Sequence, residues 1–474
     1  MVLVAGVDSS TQSCKVVIRD AQTGALIRAG RASHPNGTEV NPGLWWEALQ
    51  TAIADAGGLE DVAAVSIGGQ QHGMVLLAQD GTVVRDALLW NDTRSAGEAD
   101  RLIEHFGSDY LARVTGSLPV ASFTSTKVSW VAQNEPVNAS RIAAICLPHD
   151  YLSWRLAGYG PEGDSQFGPD LSALATDASD ASGTGYFNPT EGEYVPEILA
   201  WILGRVPHLP RIVAPGEAAF AANTDRTGYL GAIACGAGDN AAAGLGVDAV
   251  EGDVIVSLGT SGTVFSVSAT PTSDSSGTIA GFSSATGSYL PLVCTLNAAR
   301  VLDSFANLLE VSHEQLGELA LQAEPGSGGV VLVPYFEGER TPNLPNATAS
   351  VLGLTLANNT RPNLARAAIE GMLCGLAAGL SALTDAGVSA SRIILVGGAA
   401  ANPAVQQIAA EIFGLPVSVP APGEYVANGA ARQAAWLILG SRPAWGIDTI
   451  ATVQKPAVPV TVMQFAAATG NLYR

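Results

Sequence analysis

The sequence predicts a duplicated α/β fold of two domains with the ligand between them, and two observations carry this prediction. Residues 2–20 read VLVAGVDSSTQSCKVVIRD, in which two β-rich runs flank a small polar turn. Residues 254–268 read VIVSLGTSGTVFSVS and repeat that plan around a turn of glycine and hydroxyl residues. Hairpins of this kind at the start of two halves indicate a duplication, and their turns let backbone N–H groups approach phosphate oxygens.

The segments after each hairpin have the patterning of alternating strands and helices. In the first half we expect strands over 62–67, 74–78 and 87–90 and helices over 45–56, 96–106 and 127–133. Residues 158–188 are rich in Gly, Ser, Asp and Thr and predict a loop-rich excursion. In the second half we expect a long helix over 363–385, a strand over 392–396 and a turn over 397–402.

Charge and composition exclude several classes of partner. The 474 residues carry 23 basic and 43 acidic side chains, a formal net charge of −20. Such a field repels nucleic acids and anionic lipid surfaces, and the three lysines, at 15, 127 and 455, form no basic patch. The N-terminal sequence does not resemble a secretory signal, and no uninterrupted apolar run is long enough for a membrane span. The five cysteines form no CxxC pair, so we expect reduced thiols and a cytoplasmic protein.

The segment IACGAGDNAAAGLG, residues 233–246, predicts a strand, a glycine turn and a helix that starts near Asp239. One interpretation is the GxGxxA dinucleotide fingerprint, but the next strand ends in Ser257-Leu258-Gly259 and lacks the acid that would hold a ribose. The other makes Asp239 an ionised carboxylate at a helix N-terminus, able to accept a proton from an attacking hydroxyl. Asp239 acting only as a helix cap is the simpler alternative.

Two other catalytic classes, P-loop kinases and HExxH zinc enzymes, are excluded because the sequence lacks their motifs. No lysine follows a glycine, so the GxxxxGK[ST] loop of P-loop kinases is absent from the sequence. The segment HEQLG, which begins at His313, lacks the second histidine of the HExxH zinc motif. His313 and His208 are therefore interpreted as surface residues.

Nine ordered motifs now identify the chain as similar to the FGGY carbohydrate kinase family, and within it to the branch that acts on D-xylulose. The resemblance runs from residue 4 to about residue 435. The motifs are GVDSSTQSCK, GGQQHGMVLL, LLWNDTRS, SFTSTKVSWVAQNEP, CGAGDNAAAGLG, SLGTSGTVF, PYFEGERTP, ASVLGLTLANNTRPNLARAAIEG and LVGGAAANPAVQQIAAEIFGLPV.

The resemblance implies the actin-like ATPase fold of sugar kinases, hsp70 and actin: two α/β domains, each built on a ribonuclease H-like duplicated core, with a cleft between them. It implies a sugar-binding N-terminal domain over 1–246 and a nucleotide-binding C-terminal domain over 247–440. We interpret 441–474 as a C-terminal tail, because the pattern weakens there into Pro-containing segments.

The resemblance also implies the catalytic and nucleotide-binding residues. Asp239 is the general base that activates the sugar hydroxyl, and Asp8 lies near Mg²⁺ and the phosphates. The expected contacts of the nucleotide are Thr11 in the first hairpin turn, Gly259 and Thr260 in the second, and Gly398 and Asn402 on the adenine side. Because Mg²⁺ bridges phosphate oxygens and keeps several waters, few protein ligands are expected.

The QQHG sequence implies the sugar site. Gln71, His72 and Asn240 are expected to contact the sugar, together with Asp239. An amide and an imidazole can both donate and accept hydrogen bonds, which suits adjacent hydroxyls of a linear ketopentose. Asp92 is either a further sugar contact or a structural partner for Arg94.

The predicted reaction is transfer of the γ-phosphoryl group of ATP, with Mg²⁺, to D-xylulose, which yields D-xylulose 5-phosphate and ADP. The predicted partners are thus a small-molecule sugar and ATP, without nucleic acid or membrane, and the candidate oligomer is a homodimer. Two alternatives stay open: a sibling kinase for D-ribulose, a pentitol or another ketose, and a non-catalytic actin-like ATPase. A nicotinamide oxidoreductase is nearly excluded by the missing ribose acid.

Overall fold

The chain forms two compact units, each assembled from separate stretches of sequence. The structure is a computed structural model that describes residues 1–473. The first unit comprises Met1–Asp248, Pro271–Leu290 and Gly423–Gly446. The second comprises Ala249–Thr270, Pro291–Pro422 and the described chain from Ile447 onward.

Residues up to 248 supply most of the first unit. Their strands are β1 (Leu3–Ser9), β2 (Ser13–Asp20), β3 (Leu26–Ser33), β4 (Glu39–Val40), β5 (Val62–Gly69), β6 (Val75–Leu77), β7 (Ala87–Leu88), β8 (Ala144–Cys146), β9 (Ala175–Asp177), β10 (Phe187–Asn188), β11 (Glu193–Tyr194), β12 (Arg211–Val213), β13 (Ala218–Phe220), β14 (Ala232–Ala234) and β15 (Ala237–Gly238). Their helices are α1 (Pro42–Asp55), α2 (Ala96–Phe106), α3 (Ser108–Thr115), α4 (Thr124–Asn134), α5 (Pro136–Arg141), α6 (Pro148–Leu156), α7 (Ala178–Ala181), α8 (Pro196–Leu203) and α9 (Asp239–Gly246).

The later residues complete both units. Their strands are β16 (Asp253–Leu258), β17 (Gly262–Ser266), β18 (Ala280–Ser283), β19 (Tyr289–Thr295), β20 (Val331–Val333), β21 (Ser350–Leu352), β22 (Arg392–Val396), β23 (Val417–Pro420) and β24 (Thr449–Val453). Their helices are α10 (Ala299–Leu308), α11 (His313–Ala320), α12 (Arg361–Asp385), α13 (Pro403–Phe413), α14 (Tyr425–Leu439) and α15 (Pro459–Leu472).

The two main sheets share one topology. The first has the order β13-β14-β5-β1-β2-β3, and the second has β18-β19-β17-β16-β22-β23-β24. In the first, β1 pairs antiparallel with β2 and parallel with β5. In the second, β16 pairs antiparallel with β17 and parallel with β22. The duplicated core predicted from the two hairpins is therefore confirmed, because each half places its hairpin beside a parallel strand in the same arrangement.

Helix α14 packs against β1 and α9 at glycine positions. A Cβ on Gly6 would come within 1.9 Å of the Ala427 carbonyl oxygen, and a Cβ on Gly429 within 1.8 Å of the Ala242 carbonyl oxygen. Only glycine permits such close backbone approach. By these contacts residues 423–446 pack with the first unit.

Residues 271–290 also join the first unit, although they follow the second hairpin in sequence. In this segment the Gly281 N–H donates to the Gly116 carbonyl at 2.9 Å, and the Ser283 N–H donates to the Ser182 hydroxyl at 3.0 Å. The cause of this packing is hydrogen bonding between residues more than a hundred positions apart, which local patterning does not reveal.

Two segments predicted as irregular contain regular structure. The excursion over 158–188 includes β9, α7 and a 3-10 helix at Ser182–Thr184, and residues 174–187 are almost entirely buried. The stretch over 441–474, interpreted as a tail, contains β24 and α15. Strand β24 pairs antiparallel with β23, so this stretch extends the second sheet.

Helix α12 has the length and apolar composition of a membrane span, but 72% of its apolar window is buried inside the protein. It therefore has the environment of a core helix. The five cysteines are free thiols, and four of them are buried as small apolar side chains, as the sequence predicts: Cys14, Cys146, Cys235 and Cys374.

Candidate active site

The candidate active site lies where three parallel strands of the first sheet end. Asp8 near the end of β1 pairs with Gly68 of β5, and Gly238 at the end of β15 pairs with Gly69. The carboxyl ends of neighbouring parallel strands are the usual ligand-binding edge of an α/β sheet. Asp8 and Asp239 therefore reach the same edge from different strands, although 231 positions separate them in the sequence.

Asp239 is the first residue of α9, as predicted, and is half-buried. Its Oδ1 accepts hydrogen bonds from the Asn240 backbone N–H at 2.8 Å and from Asn240 Nδ2 at 3.1 Å. Burial, opposed by the Asn240 N–H and assisted by the charge of Asp8, raises the pKa of Asp239 to about 7. A carboxylate with a pKa near the working pH can both accept and release a proton, which is the requirement for a general base.

Gln71 links Asn240, the neighbour of Asp239, to the buried backbone of Ser179. Its Oε1 accepts from Asn240 Nδ2 at 3.1 Å, and its Nε2 donates to the Ser179 carbonyl at 3.4 Å. A Cβ on Gly238 would lie 2.8 Å from Gln71 Nε2, so the side chain packs directly on the backbone before Asp239. The structure thus brings Gln71, Asn240 and Asp239 together, as expected for one site.

His72 lies beside these residues with an unusual backbone. Its φ is 69°, a left-handed conformation that is uncommon for a non-glycine residue and that concentrates at functional sites. Its Nδ1 lies 2.7 Å from the Gly183 carbonyl oxygen. Because a carbonyl only accepts, Nδ1 carries a proton and donates it to this oxygen.

Two aromatic rings shape the environment of His72. Phe123 stacks on the imidazole with ring centroids 4.9 Å apart, and Phe282 lies at 5.9 Å. Phe282 was not predicted, since it comes from the segment 271–290 that joins this unit by hydrogen bonding. The rings hold the imidazole plane in one orientation, which suits directional hydrogen bonding to a ligand.

Lys127 holds the backbone of His72. This fully buried lysine donates from Nζ to the His72 carbonyl at 3.0 Å and also to the Ser122 carbonyl. Burial, only partly opposed by the charge of Asp92, lowers the pKa of Lys127 to about 7. A buried ammonium is costly unless its protons are bonded, so its position here stabilises the strained turn at His72.

Asp8 is buried and only partly neutralised. Lys15 Nζ lies 3.6 Å from its Oδ2 and also pairs with Glu424. Its Oδ1 is buried and accepts no hydrogen bond from the described residues. Burial, opposed by Lys15, raises the pKa of Asp8 to about 6. Carboxylate oxygens are the ligands that Mg²⁺ takes in proteins, and Oδ1 of Asp8 is a buried carboxylate oxygen that accepts no hydrogen bond from the described residues. Asp8 therefore fits the predicted role.

Thr11 and Asp92 lie in adjoining turns with structural partners. Thr11 Oγ1 accepts from Trp90 Nε1 at 2.9 Å. Asp92 accepts from Arg94 Nε at 2.9 Å and from Thr38 Oγ1 at 2.8 Å. The alternative interpretation of Asp92, as a partner for Arg94, is the one that the structure supports.

The expected nucleotide contacts of the second unit lie at the ends of β16 and β22. Gly259 and Thr260 form the exposed turn between β16 and β17. A Cβ on Gly397 would come within 2.5 Å of the Leu258 carbonyl oxygen, so the turn that precedes Gly398 packs on the end of β16. The structure therefore groups Gly259, Thr260 and Gly398 at one edge of the second sheet.

Asn402 has a clear structural role. As the cap of α13 its Oδ1 accepts from the Ala404 N–H at 2.9 Å, and its Nδ2 donates to the His313 carbonyl at 2.8 Å. Its side-chain amide is thus committed within the second unit. The expected contact with adenine stays a prediction.

A buried charged cluster behind the site was missed at the sequence level. It comprises His149 and Asp150 of α6 together with Asp177 and Asp180 around α7. His149 Nδ1 lies 2.7 Å from Asp180 Oδ2, and both side chains are fully buried. The available signal was the pair His149-Asp150 inside the otherwise apolar run LPHDYL, together with two aspartates three residues apart.

The duplicated two-sheet fold places Asp239 at the N-terminus of α9, at the ligand-binding edge of the first sheet, and the comparisons with known families define the class of protein. The model for the FGGY family of carbohydrate kinases, N-terminal domain, matches residues 3–246, and that for the C-terminal domain matches residues 254–438. The chain therefore belongs to the FGGY family of carbohydrate kinases and has its two-domain, actin-like ATPase fold. Membership of this family implies ATP as the phosphoryl donor.

Similar proteins include several xylulose kinases. The xylulose kinase of Streptomyces rubiginosus is 43% identical over 454 residues, covering 93% of this chain and 89% of that protein. The crystal structure of xylulose kinase from Bifidobacterium adolescentis is 47% identical and covers 99% of both chains, with a TM-score of 0.92. Plasmodium falciparum glycerol kinase with ADP, 18% identical, covers 100% of this chain and 99% of that one with a TM-score of 0.86, which shows the common fold.

Proposed function

We propose that this carbohydrate kinase phosphorylates D-xylulose at its terminal hydroxyl to give D-xylulose 5-phosphate, with Asp239 as the general base. The observation that carries the proposal is the arrangement of Asp239 at the start of α9, bonded through Asn240 to Gln71. The similarity over nine-tenths of the chain to proteins that are xylulose kinases supports the choice of sugar.

The reaction follows from the chemistry of the base. Asp239 takes the proton of the terminal hydroxyl as that oxygen forms its bond to the γ-phosphorus of ATP. The bond between the γ-phosphorus and the β,γ-bridging oxygen breaks, and ADP leaves with the electron pair. The proton then passes from Asp239 to solvent. Because the transition state of phosphoryl transfer is loose, positioning of the hydroxyl and neutralisation of charge provide most of the catalysis.

The residues of the first unit suit an open-chain ketose. The Nδ1 bond to the Gly183 carbonyl orients the ring of His72 beside Gln71 and Asn240, whose amides supply donors and acceptors. Asp239 Oδ1 is bonded to Asn240, which leaves Oδ2 as the oxygen that receives the hydroxyl proton. Adjacent hydroxyls of the sugar need alternating donors and acceptors, and this set provides both.

Mg²⁺ fits the first hairpin turn. Asp8 would hold it, directly or through water, with its buried Oδ1. When bound, the ion supplies positive charge to the phosphate oxygens. In the second unit, the turn at Gly259 and Thr260 offers backbone N–H groups and a hydroxyl to the phosphates, and Gly398 lies on the adenine side.

One assay tests the function. ADP release is measured with Mg²⁺-ATP across D-xylulose, D-ribulose, other ketoses and pentitols, with a reaction without sugar as control. We expect D-xylulose to give the highest kcat/KM and the reaction without sugar to release almost no ADP. A higher kcat/KM with another sugar would assign a sibling kinase, and sugar-independent release would assign an actin-like ATPase.

Two further features belong to the proposal. Five free thiols suit a reducing cytoplasm, which we propose as the location of the enzyme. The homodimer stays a prediction, and light scattering of the purified chain decides it by the measured mass.

A further inference from the structure

The buried cluster of His149 and Asp180 contacts the backbone near Asp239 and the backbone near Gln71, and it does not face the proposed sugar. A Cβ on Gly236, three residues before the base, would lie 2.3 Å from His149 Cδ2. A Cβ on Gly69, at the end of β5, would lie 2.9 Å from His149 Cβ. The His149 side chain therefore packs against the backbone at Gly69 and at Gly236, shortly before Gln71 and Asp239.

Asp180, the partner of His149, lies on a segment that forms hydrogen bonds with Gln71, His72 and Gly238. Asp180 belongs to α7, and its neighbour Ser179 accepts the Gly238 N–H on its hydroxyl at 3.1 Å. The Ser179 carbonyl accepts from Gln71, and the Gly183 carbonyl accepts from His72. Residues 179–183 thus contact the sugar-facing side chains and the residue before the base.

His149 faces carboxylates on both ring nitrogens: Nδ1 lies 2.7 Å from Asp180 Oδ2, and Nε2 lies 3.2 Å from Asp150 Oδ1. Burial alone would lower the pKa of His149, but Asp150, Asp180 and Asp177 raise it, which favours the protonated imidazole. Asp177 also caps α7, accepting from the Ser179 and Asp180 N–H groups at 2.8 and 3.1 Å. A buried cation joined to a carboxylate on another element fixes the distance between the two elements, because separating the charges is costly.

We propose that His149 and Asp180 are positioning residues for sugar binding: their buried pair joins α7 to α6 and so fixes the positions of Gln71 and His72 relative to the Gly238–Asp239 backbone. This inference rests on the proposed function, since it names what holds the proposed sugar site in place. It predicts that losing the pair weakens sugar binding and leaves the nucleotide, whose expected contacts lie elsewhere, unaffected.

The test is Asp180→Ala in the full-length enzyme, with KM measured separately for D-xylulose and for ATP and with Tm recorded. We expect KM for the sugar to rise at least tenfold and kcat to fall, while KM for ATP changes less than twofold. The matched control is Glu370→Ala. Glu370 is likewise buried and accepts from Arg366 Nε at 2.7 Å, but it belongs to the second unit. It should lower Tm and leave KM for the sugar within twofold.

A smaller variant keeps the proposal testable if Asp180→Ala fails to fold. Ser179→Ala removes only the hydroxyl that accepts the Gly238 N–H, and we expect a lower kcat with a Tm within about 2 °C of wild type. The double variant His149→Gln/Asp180→Asn, a neutral hydrogen-bonding pair, should recover sugar affinity relative to Asp180→Ala.

The proposal is overturned if Asp180→Ala lowers Tm as the control does but keeps KM for the sugar, or if both KM values rise together. Failure of the proposed function has a different signature, because the wild-type enzyme would then prefer another sugar or need none. If the wild-type enzyme prefers another sugar, the same variants are compared with that sugar.

Discussion

The two hairpins of the duplicated core have the same topology but carry different residues at the sheet edge. In the first, β1 brings the buried carboxylate of Asp8 to the sheet edge, with Lys15 nearby. In the second, the matching turn carries Gly259 and Thr260, both exposed, and no acid. The same backbone arrangement therefore presents a buried carboxylate in one unit and an exposed turn without an acid in the other.

We infer that this difference lets a chain of net charge −20 bind ATP. Carboxylates handle protons and Mg²⁺, whereas backbone N–H groups and hydroxyls bind phosphate without a cationic side chain. On the proposed function, proton transfer, sugar recognition and the Mg²⁺ site belong to the first unit, and the phosphate contacts at Gly259 and Thr260 belong to the second.

The largest effect is expected for Asp239→Asn. Without a base the hydroxyl proton has no acceptor, so kcat should fall by about a thousandfold or more, with KM for ATP changed less than twofold. Rapid-quench measurement of a single turnover checks the chemical step.

A folding control accompanies this variant. The raised pKa of Asp239 means that folding favours its neutral form, so ionisation costs stability as pH rises through about 7. The neutral asparagine should therefore give a Tm at pH 8 equal to or above that of wild type. A much lower Tm with unchanged single-turnover chemistry would contradict the role of base.

Asp8→Asn should lower kcat by roughly a hundredfold and raise the Mg²⁺ concentration needed for half-maximal rate. The cause is loss of the charge that the buried oxygen offers to the ion. Titrations of activity with Mg²⁺ and with Mn²⁺ check it. An unchanged Mg²⁺ requirement would remove Asp8 from the metal site.

Gly259→Ala tests the second turn. The added Cβ would meet only the Ser261 carbonyl oxygen, at 3.2 Å, so folding should be little affected. A methyl group at a phosphate-binding turn should raise KM for ATP roughly tenfold, about 1.4 kcal/mol, with KM for the sugar unchanged.

Gly398→Ala and Gly446→Ala extend this test, because neither added Cβ has a protein atom within 4 Å. The first lies on the predicted adenine side and should alter ADP binding in calorimetry, and the second should not. Identical ADP affinities in all three variants would argue against the second unit as the nucleotide site.

The smallest effect is expected for Lys127→Met. Loss of the bond to the His72 carbonyl should raise KM for D-xylulose about fivefold, since a hydrogen bond contributes on the order of 1 kcal/mol. Burial lowers the pKa of Lys127, so the folded state disfavours the cation, and Tm at pH 6 should not fall. The control is Lys455→Met at an exposed position.

Sequence reasoning predicted the local parts of the site. A helix that begins at Asp239 follows from the glycine turn before it, and the strand over 392–396 follows from its apolar run. The two hairpins likewise predicted the duplicated core. These features depend on neighbouring residues, so periodicity and turn chemistry suffice to find them.

The supporting contacts could not be predicted in the same way. Phe282 reaches His72 from 210 positions away in the chain, and Asp180 reaches His149 from a segment that reads as a loop. Helix α14 joins the first unit through close backbone contacts at Gly6 and Gly429. Such contacts are fixed by the tertiary fold, and the sequence shows only isolated polar or glycine residues there.

The pH dependence of a single turnover with D-xylulose tests whether Asp239 accepts the proton of the sugar hydroxyl. Because the pKa of Asp239 is raised to about 7, the rate should rise about tenfold per pH unit below 7 and level off above it. ATP affinity, measured at each pH as a control, should stay nearly constant across that range. A rate that does not change between pH 5.5 and 8.5 would contradict proton transfer to Asp239.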